Sequence, residues 1–330
     1  MLCNSLMFGM RQSVCPANPP PAFSAARNVV TIGHALAAAG DLDGLDRLTA
    51  NLEQRAERLG YPQARVWPLI FQAARLIPQR QLDAAETAIT RVHAAALQAG
   101  GQAGEPHSAL LLGLLRLEQG TFEGLVEVFD GLATWLPDYS VEAPLPLILA
   151  GVGDRESAMR TYHELVTRRP WEASDHMGTI AALSMLAVYA VRFQDAETAS
   201  GIYPILEPHA GEYSLIRGVA GLLAPLTRVL GELCGNLGRS DQAVAYFERA
   251  IEECRRGGLR SDAVRTQLAW AHVLARRDTP GDRRRATALG REAQRRAEEL
   301  NAPLLVADTA AFNATTLAPL ELTSRRTQRG

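Results

Sequence analysis

The sequence predicts an all-α fold built as a solenoid of about seven helix pairs. Three observations predict it. Alanine and leucine are abundant while aromatics make up 6% of the chain, a balance that favours helix over strand. Apolar residues follow a helical period almost without a break from residue 26 to 300, and no segment shows sustained strand alternation. Small, turn and aromatic residues then recur at fixed offsets seven times.

The clearest copy contains residues 230–251, LGELCGNLGRSDQAVAYFERAI. Counted from residue 224, Gly231 is eighth, Gly238 fifteenth, Ala243 twentieth, Phe247 twenty-fourth and Ala250 twenty-seventh. Small residues at the eighth and twentieth positions let two helices approach closely, and the aromatic fills the space below them. The same frame starts at 26 with Gly33, Gly40 and an imperfect Leu45. It starts at 66 with Ala73 and Ala85, and at 106 with Gly113, Gly120, Phe129 and Pro137. From 139 it gives Gly153, Ala158, Tyr162 and Pro170; from 180, Ala187, Ala199 and Tyr203. From 262 it gives Ala269, then a five-residue insertion, DTPGD, before Ala286 and Ala293. Successive starts are 40, 40, 33, 41, 44 and 38 residues apart.

This pattern resembles the tetratricopeptide repeat, and the resemblance implies a right-handed α-α superhelix. Residues 230–300, with MGTIAALSMLAVYAVRFQDAETASGIYPILEPHAG before them and RAERLGYPQARVWPLIFQAARL earlier, are similar to the C-terminal repeat region of large actinobacterial regulators. Those chains join an ATPase module, sometimes a cyclase or kinase, to such repeats, and many end in a LuxR-type DNA-binding domain. The resemblance covers residues 26–300. This sequence has no Walker motif, no cyclase domain and no helix-turn-helix signature after residue 300, so only the interaction and sensing part is implied.

Composition removes several chemistries. All 34 cationic residues are arginine, so a P-loop lysine and a Schiff-base lysine are both excluded. GxSxG, GxGxxG and HExxH are absent, and no two of the seven histidines stand four apart. DLDGLD at 41–46 lacks the glutamate of a calcium loop and reads as acidic residues at a helix start. The sequence thus predicts no metal and no cofactor. Net charge is −2, and the 14 arginines against 8 acids in 239–296 read as solvated, paired helix faces rather than a nucleic-acid patch.

Four cysteines without CxxC indicate reduced, cytoplasmic usage, and no apolar run reaches membrane-spanning length. Cys234, eleventh in its frame, is expected in the helix interface as a small hydrophobe, and Cys254 as a surface thiol. Residues 1–25, with PANPPP, are expected to be a disordered leader. Residues 26–300 form the repeat domain, and 301–330 a capping helix with a frayed tail.

The resemblance also implies where a partner binds. In such repeats the first helix of each pair lines the concave face, with the second, fifth, ninth and twelfth positions pointing inward. These positions include Trp67, Ile70, His107, Leu110, Leu114, Ser184, Val188, Pro225, Arg228, Glu232 and Trp270, with Asn236 beside them. The surface is mostly apolar, with Arg228 and Asn236 as the only hint of a carboxylate clamp. The expected occupant is a protein partner, with self-association or a small apolar ligand as alternatives. The functional expectation is a non-catalytic regulatory or scaffolding protein. The alternative is an enzyme or small-molecule binder using the groove as a pocket, with His34, His107 or Glu232 as the candidate titrating group.

Overall fold

A computed structural model describes residues 21–60, 62–100, 105–135, 139–168, 176–216 and 221–327. The expected leader at 1–25 falls largely outside these residues, and the first described helix begins at Pro21.

Seven helix pairs follow one another among the described residues. They are α1 (Pro21–Ala38) with α2 (Leu42–Leu59), α3 (Pro62–Leu76) with α4 (Leu82–Gln98), and α5 (Glu105–Gln119) with α6 (Leu125–Trp135). The fourth pair has a broken first arm, α7 (Tyr139–Glu142) and α8 (Leu145–Gly151), against α9 (Arg155–Thr167). Pro144 caps α8 and Pro146 follows within its first turn; a proline there starts a helix but cannot continue one. The rest are α10 (His176–Arg192) with α11 (Ala196–Leu206), α12 (Leu226–Asn236) with α13 (Ser240–Gly257), and α14 (Arg260–Arg277) with α15 (Asp282–Glu299). Helix α16 (Pro303–Thr327) packs on α15 and α14.

Most consecutive helices touch within each unit, and so do first helices two apart: α1 with α3, α3 with α5, and α12 with α14. The fold is all-α and tetratricopeptide-like. The chain divides into two units. One holds residues 1–189 and 211–224; the other holds 190–210 and 225–330.

One backbone device sets six of the seven pairs. The fifteenth residue of six frames is left-handed: Gly40, Arg80, Gly120, Gly153, Gln194 and Gly238, with φ between 56° and 92°. The sixteenth residue then donates its N–H to the carbonyl of the eleventh: Asp41 to Leu36, Gln81 to Leu76, Thr121 to Arg116, Asp154 to Leu149, Asp195 to Ala190 and Arg239 to Cys234, all at 2.8–3.1 Å. This six-to-one bond across a left-handed residue ends the first helix and aims the second. Asp41, Asp154 and Asp195 also cap the second helices, accepting from the N–H of Gly44, Ser157 and Thr198. The expected capping role of DLDGLD is therefore what Asp41 performs.

The eighth and twenty-fourth positions meet as side chains. A Cβ added at Gly113 would lie 2.6 Å from the Phe129 ring, and one at Gly231 2.7 Å from Phe247. Both rings are fully buried. Ala85, Ala158, Ala199, Ala243 and Ala286 at the twentieth position are buried as well.

One element departs from the all-helical expectation. After a short 3-10 turn at Glu207–His209, strands β1 (Tyr213–Ile216) and β2 (Gly221–Pro225) pair as a two-stranded sheet. They occupy the longest interval between repeat starts.

Candidate functional site

In the first unit, Trp67 on α3 and His107 on α5 come together. Their rings meet edge to face, centroids 4.9 Å apart at 76°, and both side chains are half-buried. Trp67 also tilts against Phe71, whose ring fills the space beside Gly33. Val188 on α10 is half-buried too. Ile70, Leu110 and Leu114 are placed differently. They are buried, the first two completely, on helices that pack against their own second helices and against each other. They belong to the core rather than to an open face.

Ser184 of α10 faces a strand. Ser184 donates to the Ala181 carbonyl at 2.8 Å and lies 2.6 Å from Ser214 Oγ of β1. Its single hydrogen is used on the carbonyl, so Ser214 is the donor between the two hydroxyls. The ring of Tyr213, next in β1, lies against Gly40 at the α1–α2 turn, where an added Cβ would sit 2.6 Å from it.

In the second unit, Arg228, Glu232 and Asn236 stand one turn apart on α12. Arg228 reaches Glu232 at 2.6 Å and Asp262 of α14 at 3.6 Å, and Asp262 is also 3.6 Å from Arg265. The side chains of Arg228, Glu232 and Asp262 are only 8%, 12% and 4% exposed. Burial works against the charge of Arg228, but Glu232 and Asp262 outweigh it and hold the guanidinium above its ordinary pKa. An arginine held between two carboxylates is already neutralised, so the hint of a carboxylate clamp is not supported here. Asn236 Nδ2 is buried with no partner among the described residues.

Two further positions move. Trp270 is buried, with the Arg285 guanidinium of the second helix α15 at 4.3 Å over its ring, so it does not line a face of first helices. Pro225 is buried at the end of β2 rather than exposed on a helix.

The cysteines separate from chemistry. Cys234 is buried on α12, and burial raises its thiol. Cys254 is a correction: it is 1% exposed rather than a surface thiol, because the last turn of α13 packs toward Thr266 of α14, and burial pushes its pKa to about 12. Beside it Glu253 is raised, chiefly by burial, despite its bond from Thr227 and its ion pair with Arg249.

Surface depressions lie along α9 and between the first two helix pairs. One of about 720 Å³ runs along α9 beside Arg160, His163 and Arg168. Another of about 610 Å³ lies between α2, α3 and α4, where Gln72 donates to Glu53 and Arg75 pairs with Asp46. Among the described residues, no three His, Cys, Asp or Glu cluster as a metal site, and no helix is long and apolar enough to cross a membrane.

Sequence reasoning found Trp67, His107, Ser184, Arg228 and Glu232, but not Asp262, Arg265 or the strand Tyr213–Leu215. The first two come from the start of a neighbouring repeat, and their meeting with Arg228 depends on how α14 lies beside α12. The strand left one signal, the 44-residue interval between repeat starts.

No protein-family model and no curated protein matches the sequence. Forty-six solved chains match by structure. One is yeast Tom70, at 11% identity and a TM-score of 0.43, covering 98% of this chain and 72% of that one.

Proposed function

We propose that this chain is a non-catalytic helical-repeat protein that binds a protein partner through its first helices, in a regulatory or scaffolding role in the cytoplasm. The observation that carries the reading is the shared turn. Six frames repeat the same left-handed residue and six-to-one bond. Within each unit first helices therefore stand side by side as a comb, α1 with α3 and α3 with α5 in one and α12 with α14 in the other, the kind of surface helical repeats use for binding. On that comb Trp67 and His107 stay half-open while their neighbours Ile70 and Leu110 are buried. A half-open aromatic on a rigid backbone is the usual anchor of a protein interface. The similarity of residues 26–300 to repeat regions of actinobacterial regulators supports the regulatory part of the reading.

The test is native mass spectrometry of the protein purified gently from its host, with wild type beside a Trp67→Ala/His107→Ala variant. A protein bound at fixed stoichiometry to wild type and lost from the variant is expected. A bare chain that turns over a metabolite, with turnover lost in the same variant, overturns the reading in favour of an enzyme groove.

A further inference from the structure

We infer that Tyr213–Leu215 is a displaceable internal occupant of the inner face of the first unit, standing where an extended partner segment binds. The proposal deepens the function proposed above by naming the conformation of the partner. It rests on that reading for the identity of the face.

The segment breaks the repeat. Among the described residues, the chain makes an extended strand where it leaves α11. Successive side chains of a strand point to opposite sides. Tyr213 packs on Gly40, at the turn of the first pair. Ser214, the next residue, bonds Ser184 on the first helix of the fifth pair. One strand is therefore wedged between the α1–α2 turn and Ser184 of α10, and β1 also packs along α1. Tyr213, Ser214 and Leu215 are 5%, 0% and 2% exposed.

The grip is specific. Gly40 leaves room for the tyrosine ring, and a left-handed backbone there keeps a side chain out. The hydroxyl chain Ser214–Ser184–Ala181 satisfies groups that would otherwise be buried unpaired. Leu215 is the one aliphatic side chain of the three. Three residues on a connection, entered through Gly211 at φ 102°, can leave by giving up their pairing with β2 and without unwinding a helix. What they vacate is a slot for an aromatic, then a small hydroxyl, then an aliphatic side chain, in extended conformation. A partner segment with that order would compete with the strand directly.

The test uses a labelled synthetic peptide of residues 210–216, AGEYSLI, and measures its binding by fluorescence anisotropy. Full-length Tyr213→Ala/Ser214→Ala/Leu215→Ala protein should bind the peptide in trans. Wild type should bind about ten-fold more weakly or worse, because its tethered strand competes at roughly millimolar effective concentration. An oxidised Ser184→Cys/Ser214→Cys protein, with the strand locked, should not bind. Equal binding to wild type and the triple variant overturns the proposal. So does no binding to a triple variant whose helical circular dichroism matches wild type. If the triple variant does not fold, hydrogen exchange on wild type decides. Amides of Tyr213–Leu215 should exchange well ahead of α1 and α10, whereas exchange only with global unfolding overturns the proposal. The peptide assay needs no natural partner and the co-purification needs no strand variant, so the two readings fail separately.

Discussion

At the scale of single residues, glycines and left-handed positions decide most. Gly231 has no room for a methyl group beside Phe247. Helix propensity would reward Gly231→Ala by about 1 kcal/mol, but overpacking a filled site costs about 1–3 kcal/mol. Phe247 is fully buried and cannot swing aside, so the variant should be less stable, read as a lower urea midpoint. Gln194 shows the opposite case. It holds φ 56° with a side chain, which costs about 1 kcal/mol against glycine. Gln194→Gly should raise the midpoint, and a fall would mean its side chain makes a contact worth more than the strain.

Titrating groups belong to the same scale. Asp282 accepts from Arg277, which lowers its carboxyl most, and from Thr279, so its pKa falls far below 3.8. A lowered carboxylate contributes stability above its unfolded pKa and loses it as pH falls below that value. Asp282→Asn should therefore be less stable at pH 7, with the gap to wild type closing below about pH 4 in acid melts. Glu253 runs the other way. Its raised pKa means stability is greatest below the unfolded value of 4.5 and is lost as pH rises through the folded one. Glu253→Gln should flatten that loss. Cys234 and Cys254 are buried thiols with raised pKa values, so peptide mapping should find both unlabelled by a thiol reagent at pH 8 until denaturant is added.

At the scale of elements, the helix pair is the unit, and its turn carries the specificity. Asp195 accepts from the Thr198 N–H at 3.0 Å and from the Thr198 hydroxyl at 2.7 Å. Asp195→Ala should cost about 1 kcal/mol, since an alanine leaves the first turn of α11 uncapped. Asn there should recover most of the loss. The effect should show in hydrogen exchange at the start of α11 before it shows anywhere else. The fourth pair is the outlier among the first arms, because Pro144 and Pro146 split what other repeats make as one helix into α7 and α8.

At the scale of the molecule, stability is expected to be a sum over neighbouring pairs. Phe247→Ala opens a cavity between α12 and α13 and should cost about 3–5 kcal/mol. Exchange should rise in α12, α13 and α14 and fade with distance along the chain; a uniform rise everywhere would mean one global cooperative unit. The surface that binds is also a property at this scale. Trp67→Ala/His107→Ala removes two half-buried rings from different helices, and should abolish partner binding while leaving the helical signal intact.

The sequence by itself determined the helix pairs, their order and their turns, because these depend on contacts within about thirty residues. The glycines at 40, 120, 153 and 238 and the aspartates at 41, 154 and 195 act on their own backbone, and the Gly231–Phe247 packing lies within one frame. What lies between frames was decided by tertiary structure alone. Ile70, Leu110, Trp67 and His107 all read as inward positions, yet only the packing of their helices against second helices and each other made the first two core and left the other two half-open. Arg228 suggested an anion site until Asp262, from the next pair, was placed beside it. Tyr213 and Ser214 are ordinary residues in a long connection; their meaning comes from Gly40 and Ser184, 173 and 30 positions away, which only the curl of the first unit brings to one strand.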